Sequence, residues 1–153
     1  MNYTFNEIEV ASIGSIKEAW LKLNEEHQEH SNHFKEFYAK RSFEMRILKF
    51  KRLSEEDLHI EIVKHSVYGV IGYCIVTFVK EQGEVDSLYV DERFRDKGIG
   101  TTLMVHALQW LKDREIEDIV LQVAEGNEHV LKFYERFNFY PRRMMLAYKS
   151  PKD

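Results

Sequence analysis

The run Arg95-Asp96-Lys97-Gly98-Ile99-Gly100-Thr101 carries the densest chemistry in this chain. It follows a strand-like segment, Val85-Asp86-Ser87-Leu88-Tyr89-Val90, across the short charged stretch Asp91-Glu92-Arg93-Phe94. A long amphipathic pattern begins at its end. A strand, a glycine-bearing turn and a helix start in that order build a site for a phosphate-bearing ligand. A pyrophosphate has to come within hydrogen-bonding distance of several backbone N–H groups. A Cβ at Gly98 or Gly100 would crowd that approach, and glycine removes it. The unmet N–H groups of the helix start and the positive end of its dipole then favour an anion. Arg95 and Lys97 add positive charge, and the hydroxyls of Thr101 and Thr102 lie in the first turn.

Other phosphate motifs fit badly. A nucleotide P-loop needs G-K-[ST], whereas Gly100 is followed by Thr101-Thr102. A dinucleotide fingerprint needs a third glycine or alanine, and Leu103 stands there. His27, His30 and His33 are spaced three apart, but on a helix each step of three turns back by about 60°, so they do not converge on a metal. We read them as exposed polar residues on a link between helices and expect no metal site. Glu25, Glu26, Glu29 and Glu36 form a solvated acidic face that could also draw a cationic amine.

Elements that position these residues follow from composition and periodicity. A chain of 153 residues with 44% hydrophobic and 31% charged residues suits one domain, spanning 1–153. Its net charge of -4 gives no sign of nucleic-acid binding. The first residues lack a secretory pattern, and no apolar run approaches the ~20 residues of a membrane span. The one cysteine, Cys74, lies in an apolar strand-like run, which makes it core packing and fits a cytoplasmic protein. Tyr3 to Val10 reads as a first strand, and Ser15 with Glu18 matches a capping box at the start of a helix. A second helix is expected over Ser31 to Arg41, while Phe43 to Leu53 is ambiguous. Leu58 to Val63 and Val67 to Val79 read as strands, Gln82-Gly83 as a turn, and Glu84 to Val90 as the next strand. Strand alternation puts Glu84, Asp86 and Leu88 on one face and Val85, Ser87 and Tyr89 on the other.

Gly98 to Arg114 is the clearest helix, with Leu103, Met104, Ala107, Leu108 and Leu111 in one stripe. Asp118 to Val123 reads as a buried strand. Asn127 can cap a helix through Phe137, Asn138 can stop it in the left-handed region, and Arg143 to Lys149 reads as a last strand. The order is that of a mixed α/β domain with a partly antiparallel sheet.

Two segments together resemble a known family. The R-x-x-G-x-G turn after Leu88-Tyr89-Val90 is similar to the acetyl-coenzyme A site of the GNAT superfamily of N-acetyltransferases. Asn127 to Phe139, with Phe133-Tyr134-Glu135 and Phe137-Asn138-Phe139, resembles that family's asparagine, helix and F-Y-E-x-x-G-F segment. Asn138 stands where the family usually has glycine, a change that asparagine tolerates. The likeness covers Val67 to Lys149; the front half matches only as two helices after a first strand. It implies a mostly antiparallel twisted sheet flanked by helices, with two central parallel strands splayed to admit the cofactor.

The resemblance further implies that the pantetheine arm pairs with the backbone of Leu88, Tyr89 and Val90. The pyrophosphate would sit on the amides of Arg95, Asp96, Lys97, Gly98, Ile99, Gly100 and Thr101, with Asn127 and Tyr134 near the pantetheine and thioester. Acetyl would pass to a primary amine of a small molecule or protein by direct attack in a ternary complex. That reaction asks for a base on the amine and an acid on the leaving thiolate. By position Tyr134 is the acid and Glu84 the base, with Asp86 or a water as the rival base. A coenzyme A-binding sensor without turnover is the alternative reading. Tyr140 and Tyr148 leave room for a homodimer.

Overall fold

Five strands pair into one sheet in chain order: β1 (Tyr3–Ile8), β2 (Leu58–His65), β3 (Gly69–Val79), β4 (Gln82–Val90) and β5 (Ile119–Leu121). All pairs are antiparallel except β4 with β5, which is parallel. The computed structural model describes residues 2–152. Their contacts gather into two compact units, Met1–Leu21 with Ser42–Gln122 and Lys22–Arg41 with Val123–Asp153.

The first unit holds the sheet. Between its two parallel strands runs α4 (Ile99–Asp113), and its Leu103, Met104, Ala107 and Leu111 are buried, with Leu108 at the margin of the stripe. Burying a Leu or Met side chain contributes about 1.5–3 kcal/mol, so the stripe holds the helix to the sheet. Gly83 makes the contact close: a Cβ there would lie 2.6 Å from Leu111 Cδ2 and 3.2 Å from Ile116 Cγ2. His106 of α4 also meets the buried carboxylate of Glu61 on β2 at 2.8 Å. The opposite face receives α3 (Phe43–Lys51), whose Ser42 hydroxyl accepts from the Met45 amide and caps the helix. Phe43, Ile47 and Phe50 of this helix are buried. A 3-10 turn over Val10–Ile16 precedes α1 (Lys17–His30), so Ser15 sits inside that turn and the expected capping box is absent; Ile13 and Ile16 go into the core instead.

Several expectations are corrected. The hairpin between β3 and β4 turns at Lys80 and Glu81, both at positive φ (51° and 65°), and Gln82-Gly83 belong to the strand. Two positive φ values match the twist of a two-residue hairpin, whatever the residues. In β4 the register slips between Ile75↔Ser87 and Val76↔Val85, which leaves Asp86 as the extra residue of a bulge. Simple alternation fails there: Ser87 pairs on the face of Tyr73 and Ile75, so Glu84, Asp86, Ser87 and Tyr89 share one face and Leu88 takes the other. The strand expected over Asp118 to Val123 is only three residues long and half-buried.

The second unit contains the rest of α1 from Lys22, α2 (Lys35–Ala39) and α5 (Leu131–Glu135). His27 and His30 lie within α1, not on a link as expected. Residues 143–149 form no strand: no ladder pairs with them, and Met144, Met145, Leu146 and Tyr148 are exposed. Asn138 does take the left-handed conformation, φ 66°, just after the last helix. His27 packs its ring 5.5 Å from that of Tyr38. Burial, then the charges of Arg41 and His30, push its pKa down to about 4.

Two outcomes follow. A Cβ at Gly72 would stand 2.9 Å from the backbone oxygen of Tyr89, which cannot yield without moving β4. Gly72→Ala is expected to cost roughly 1–3 kcal/mol in urea unfolding, and more than Gly83→Ala, which meets only side-chain ends. His27 is held neutral when folded and has an ordinary value of 6.5 when unfolded, so its contribution is complete above 6.5 and is lost as pH falls toward 4. Stability should drop by about 2 kcal/mol between pH 7.5 and pH 5, and His27→Gln should flatten that drop. An equal slope in the variant would assign the loss to other groups.

Candidate functional site

The carboxyl end of β4 leads into the glycine-bearing turn. Asp91 accepts hydrogen bonds from the Arg93 amide and guanidinium, each at 3.0 Å, and Arg93 lies over the Tyr68 ring at 4.5 Å. This holds the short turn Glu92–Phe94. Arg95 donates from Nε to the Val90 carbonyl at 2.8 Å and covers the Tyr89 ring at 5.6 Å. Asp96 and Gly98 then take positive φ, 62° and 84°. Gly98 is the N-cap of α4, and its carbonyl accepts from the Thr102 amide and hydroxyl at 3.0 and 3.1 Å. No protein atom lies within 4 Å of a Cβ built at Gly98. Glycine is there for its backbone conformation, and the space beside it is open to a ligand. Ile99, Gly100 and Thr101 make up the first turn, whose amides have no carbonyl four residues back within the helix.

Leu88, Tyr89 and Val90 pair with Cys74, Tyr73 and Gly72 of β3 on one edge. On the other edge the parallel ladder with β5 ends at Val85↔Leu121. The arrangement is a strand that outruns its parallel partner, followed by a helix start that favours an anion.

At the amino end of β4 stand the two carboxylates. The Asp86 side chain has no solvent exposure; it bonds Lys49 of α3 and the Thr77 hydroxyl of β3, and the residue's backbone oxygen accepts from Arg46 Nη2 at 3.0 Å. Glu84 is 22% exposed, with Lys49 Nζ 3.8 Å from its Oε1. Burial and then the Asp86 charge raise the Glu84 pKa, and Lys49 and Arg46 partly offset them. Of the pair, Glu84 is the one that can meet an incoming molecule. It opens on a concavity of about 380 Å³ that Thr77, Gln82 and Asp118 also line. Lys49, Arg46 and Thr77 were not among the residues singled out from sequence. The signal was present in the ambiguous helix, where two cations three residues apart share a face.

In the second unit Asn127 is buried at the N-cap position of the 3-10 turn Glu128–Val130, but its side chain makes no cap hydrogen bond. Its Oδ1 pairs instead with His30 Nδ1 at 2.8 Å, because the end of α1 lies directly against this loop. Gly126, at φ 92°, comes so close that a Cβ would fall 2.0 Å from the His30 carbonyl oxygen. The Ser31 hydroxyl and Asn32 amide donate to the Glu125 carboxylate at 2.6 and 2.7 Å and hold its pKa down. Tyr134 is half-buried on α5, edge-on to Phe133 at 5.2 Å and to Phe139 at 6.4 Å. Among the described residues no three His, Cys, Asp or Glu side chains gather as a metal site. Cys74 is buried in β3 and burial pushes its thiol up, which makes it a poor nucleophile. No helix among the described residues is long and apolar enough to cross a membrane.

Comparison with known proteins shows the family and the fold. The sequence profile of the acetyltransferase (GNAT) family matches residues 18–139. An N-alpha-acetyltransferase of Sulfolobus acidocaldarius is 32% identical over 97 residues, 60% of this chain and 58% of that protein. An uncharacterised N-acetyltransferase of Methanocaldococcus jannaschii is 32% identical over 66 residues, 43% of this chain and 29% of that one. The chain thus spans less than two thirds of the length of these relatives. In three dimensions a Bacillus halodurans protein, BH1408, solved as a tetramutant, superimposes with a TM-score of 0.75 at 17% identity, over 95% of this chain and 98% of that one. At that identity the likeness is one of fold.

The raised Glu84 pKa has a sign that stability reads. Its favourable contribution is complete below the ordinary value of 4.5 and is lost as pH rises through the folded value. Glu84→Gln should therefore gain on the wild type as pH rises from 4 to 7 in urea unfolding. A difference that does not change with pH would mean that Glu84 titrates as a solvated carboxylate.

Proposed function

The chain belongs to the acetyltransferase (GNAT) family, and we propose that it moves an acetyl group from acetyl-coenzyme A to a primary amine. The observation that carries this reading is the start of α4: Gly98 at φ 84°, with open space beside it, directly after a strand that extends past its parallel partner. The family uses acetyl-coenzyme A as cosubstrate. In this reading the amides of Arg95 to Thr101 hold the pyrophosphate, and the backbone of Leu88, Tyr89 and Val90 pairs with the pantetheine arm. Asn127 and Tyr134 meet the thioester end.

The amine nitrogen attacks the thioester carbonyl carbon directly. A C–N bond forms, the C–S bond breaks, the amine proton passes to Glu84 or to a water that it orients, and Tyr134 protonates the departing thiolate. Glu84 is favoured over Asp86 because the Asp86 oxygens are already held by Lys49 and Thr77. For the acceptor, the name of the Sulfolobus relative favours the α-amine of a protein over a small molecule. A buried, unpaired cysteine suits the cytoplasm.

Thiol release from acetyl-coenzyme A, measured against peptides with free N-termini and a panel of small amines, tests the activity and its acceptor together. Tight binding of acetyl-coenzyme A without release for any amine would refute turnover. Gly100→Val should raise the Kd for acetyl-coenzyme A by roughly tenfold or more, since a branched side chain would stand where the pyrophosphate approaches. Unchanged affinity would remove the turn from the site. Tyr134→Phe should cut kcat roughly a hundredfold while leaving that Kd nearly unchanged, and a loss confined to Kd would remove it as the acid.

A further inference from the structure

One lysine stands between two carboxylates. Lys49 of α3 bonds Asp86, whose side chain is wholly out of water, and its Nζ lies 3.8 Å from Glu84 Oε1. A buried carboxylate with its cation removed is strongly unfavourable, so Asp86 ties Lys49 in place. An ordinary surface lysine explores many rotamers and screens its neighbours weakly. Lys49 is 43% exposed, yet it is anchored at its tip, so its charge acts on Glu84 from a fixed position.

We propose that Lys49 is a positioning residue for the reaction: a cation shared by Asp86 and Glu84, anchored by the first so that it orients the second and governs when that second carboxylate holds a proton. This rests on the reading of Glu84 as the base. Other groups facing Glu84 are few. Arg46 lies one helical turn before Lys49 and is held at the Asp86 backbone oxygen. From β3 comes the neutral Thr77, and α4 packs on the opposite face. Lys80 and Asp118 line the rim of the shared concavity, where Asp118 accepts from Gln82 Nε2 at 3.1 Å. The balance at Glu84 is thus set by burial and Asp86 on one side and by Lys49 with Arg46 on the other.

A device of this kind has two handles that turn in opposite directions. Lys49→Met removes the cation and should move the Glu84 titration to higher pH by roughly one unit. Asp86→Asn removes the like charge and leaves Lys49 to Glu84, so the same titration should move to lower pH. Lys49→Arg keeps the charge and should leave the midpoint close to wild type. The measurement is the carbon-13 NMR titration of the Glu84 carboxyl carbon in the unliganded chain, assigned by its loss in Glu84→Gln. It needs no acceptor.

Coincident midpoints in Lys49→Met and Lys49→Arg would overturn the proposal. If Lys49→Met does not fold, Asp86→Asn carries the test, and a midpoint that stays or rises overturns it. The base assignment fails separately: thiol release that keeps its rate and acid limb in Glu84→Gln would remove Glu84 as the base, whatever the titration shows.

Discussion

A carboxylate sealed from water stays ionised only if a cation and hydrogen bonds meet it, and Asp86 imposes that demand on the middle of β4. Alternation from Glu84 carries the Asp86 carboxylate under α3, and the bulge then brings Ser87 onto the same face directly after it. That helix must then arrive in one register. Its Ser42 cap fixes where it begins, its apolar residues Phe43, Ile47 and Phe50 fix which way it faces, and Arg46 and Lys49 fall over the bulge as a result. Packing and charge thus select the same arrangement, which is the mark of a sequence with one consistent answer.

The two ends of β4 lie in different surroundings. Near its start it presents Glu84 on the α3 face; at its finish it feeds the turn that opens α4. A strand rises about 3.3 Å per residue, so Glu84 and Val90 stand roughly 20 Å apart. On the proposed reading, that spacing would suit a donor with phosphate at one end and its reacting group at the other. Neither end moves freely. The first is tied to α3, and the second is held by the Asp91–Arg93 pair and by Thr102 on the Gly98 carbonyl. A site built on a strand between two helices holds its geometry better than one built on loops.

Local signals in the sequence were legible where one residue type has one physical use. Gly98 before a 3.6-residue apolar stripe announced both the turn and α4, and Asn138 announced the left-handed residue that follows α5. What stayed hidden depends on partners far away in the chain. The bulge at Asp86 is a property of pairing with β3 and has no composition of its own. The Lys80-Glu81 turn uses residues with no left-handed preference, while Gly83, the better turn residue, is needed where Leu111 packs. Asn127 looked like a cap because caps and buried amides share one chemistry, and only the arrival of His30 decides between them. Arg143 to Lys149 read as a strand, but a strand exists only where an edge receives it.

The early end of the β4–β5 ladder reaches beyond ligand recognition. Among the described residues the ladder with β5 does not continue past Val85, though Arg46 meets the Asp86 carbonyl, and a sheet edge of that kind can pair with an extended peptide, another copy's included. Arg95 shields the Val90 carbonyl and so blunts part of that edge. On the proposed reading of the site, a bound donor would cover the rest of that edge. Solubility during storage and concentration should therefore depend on whether the donor is present.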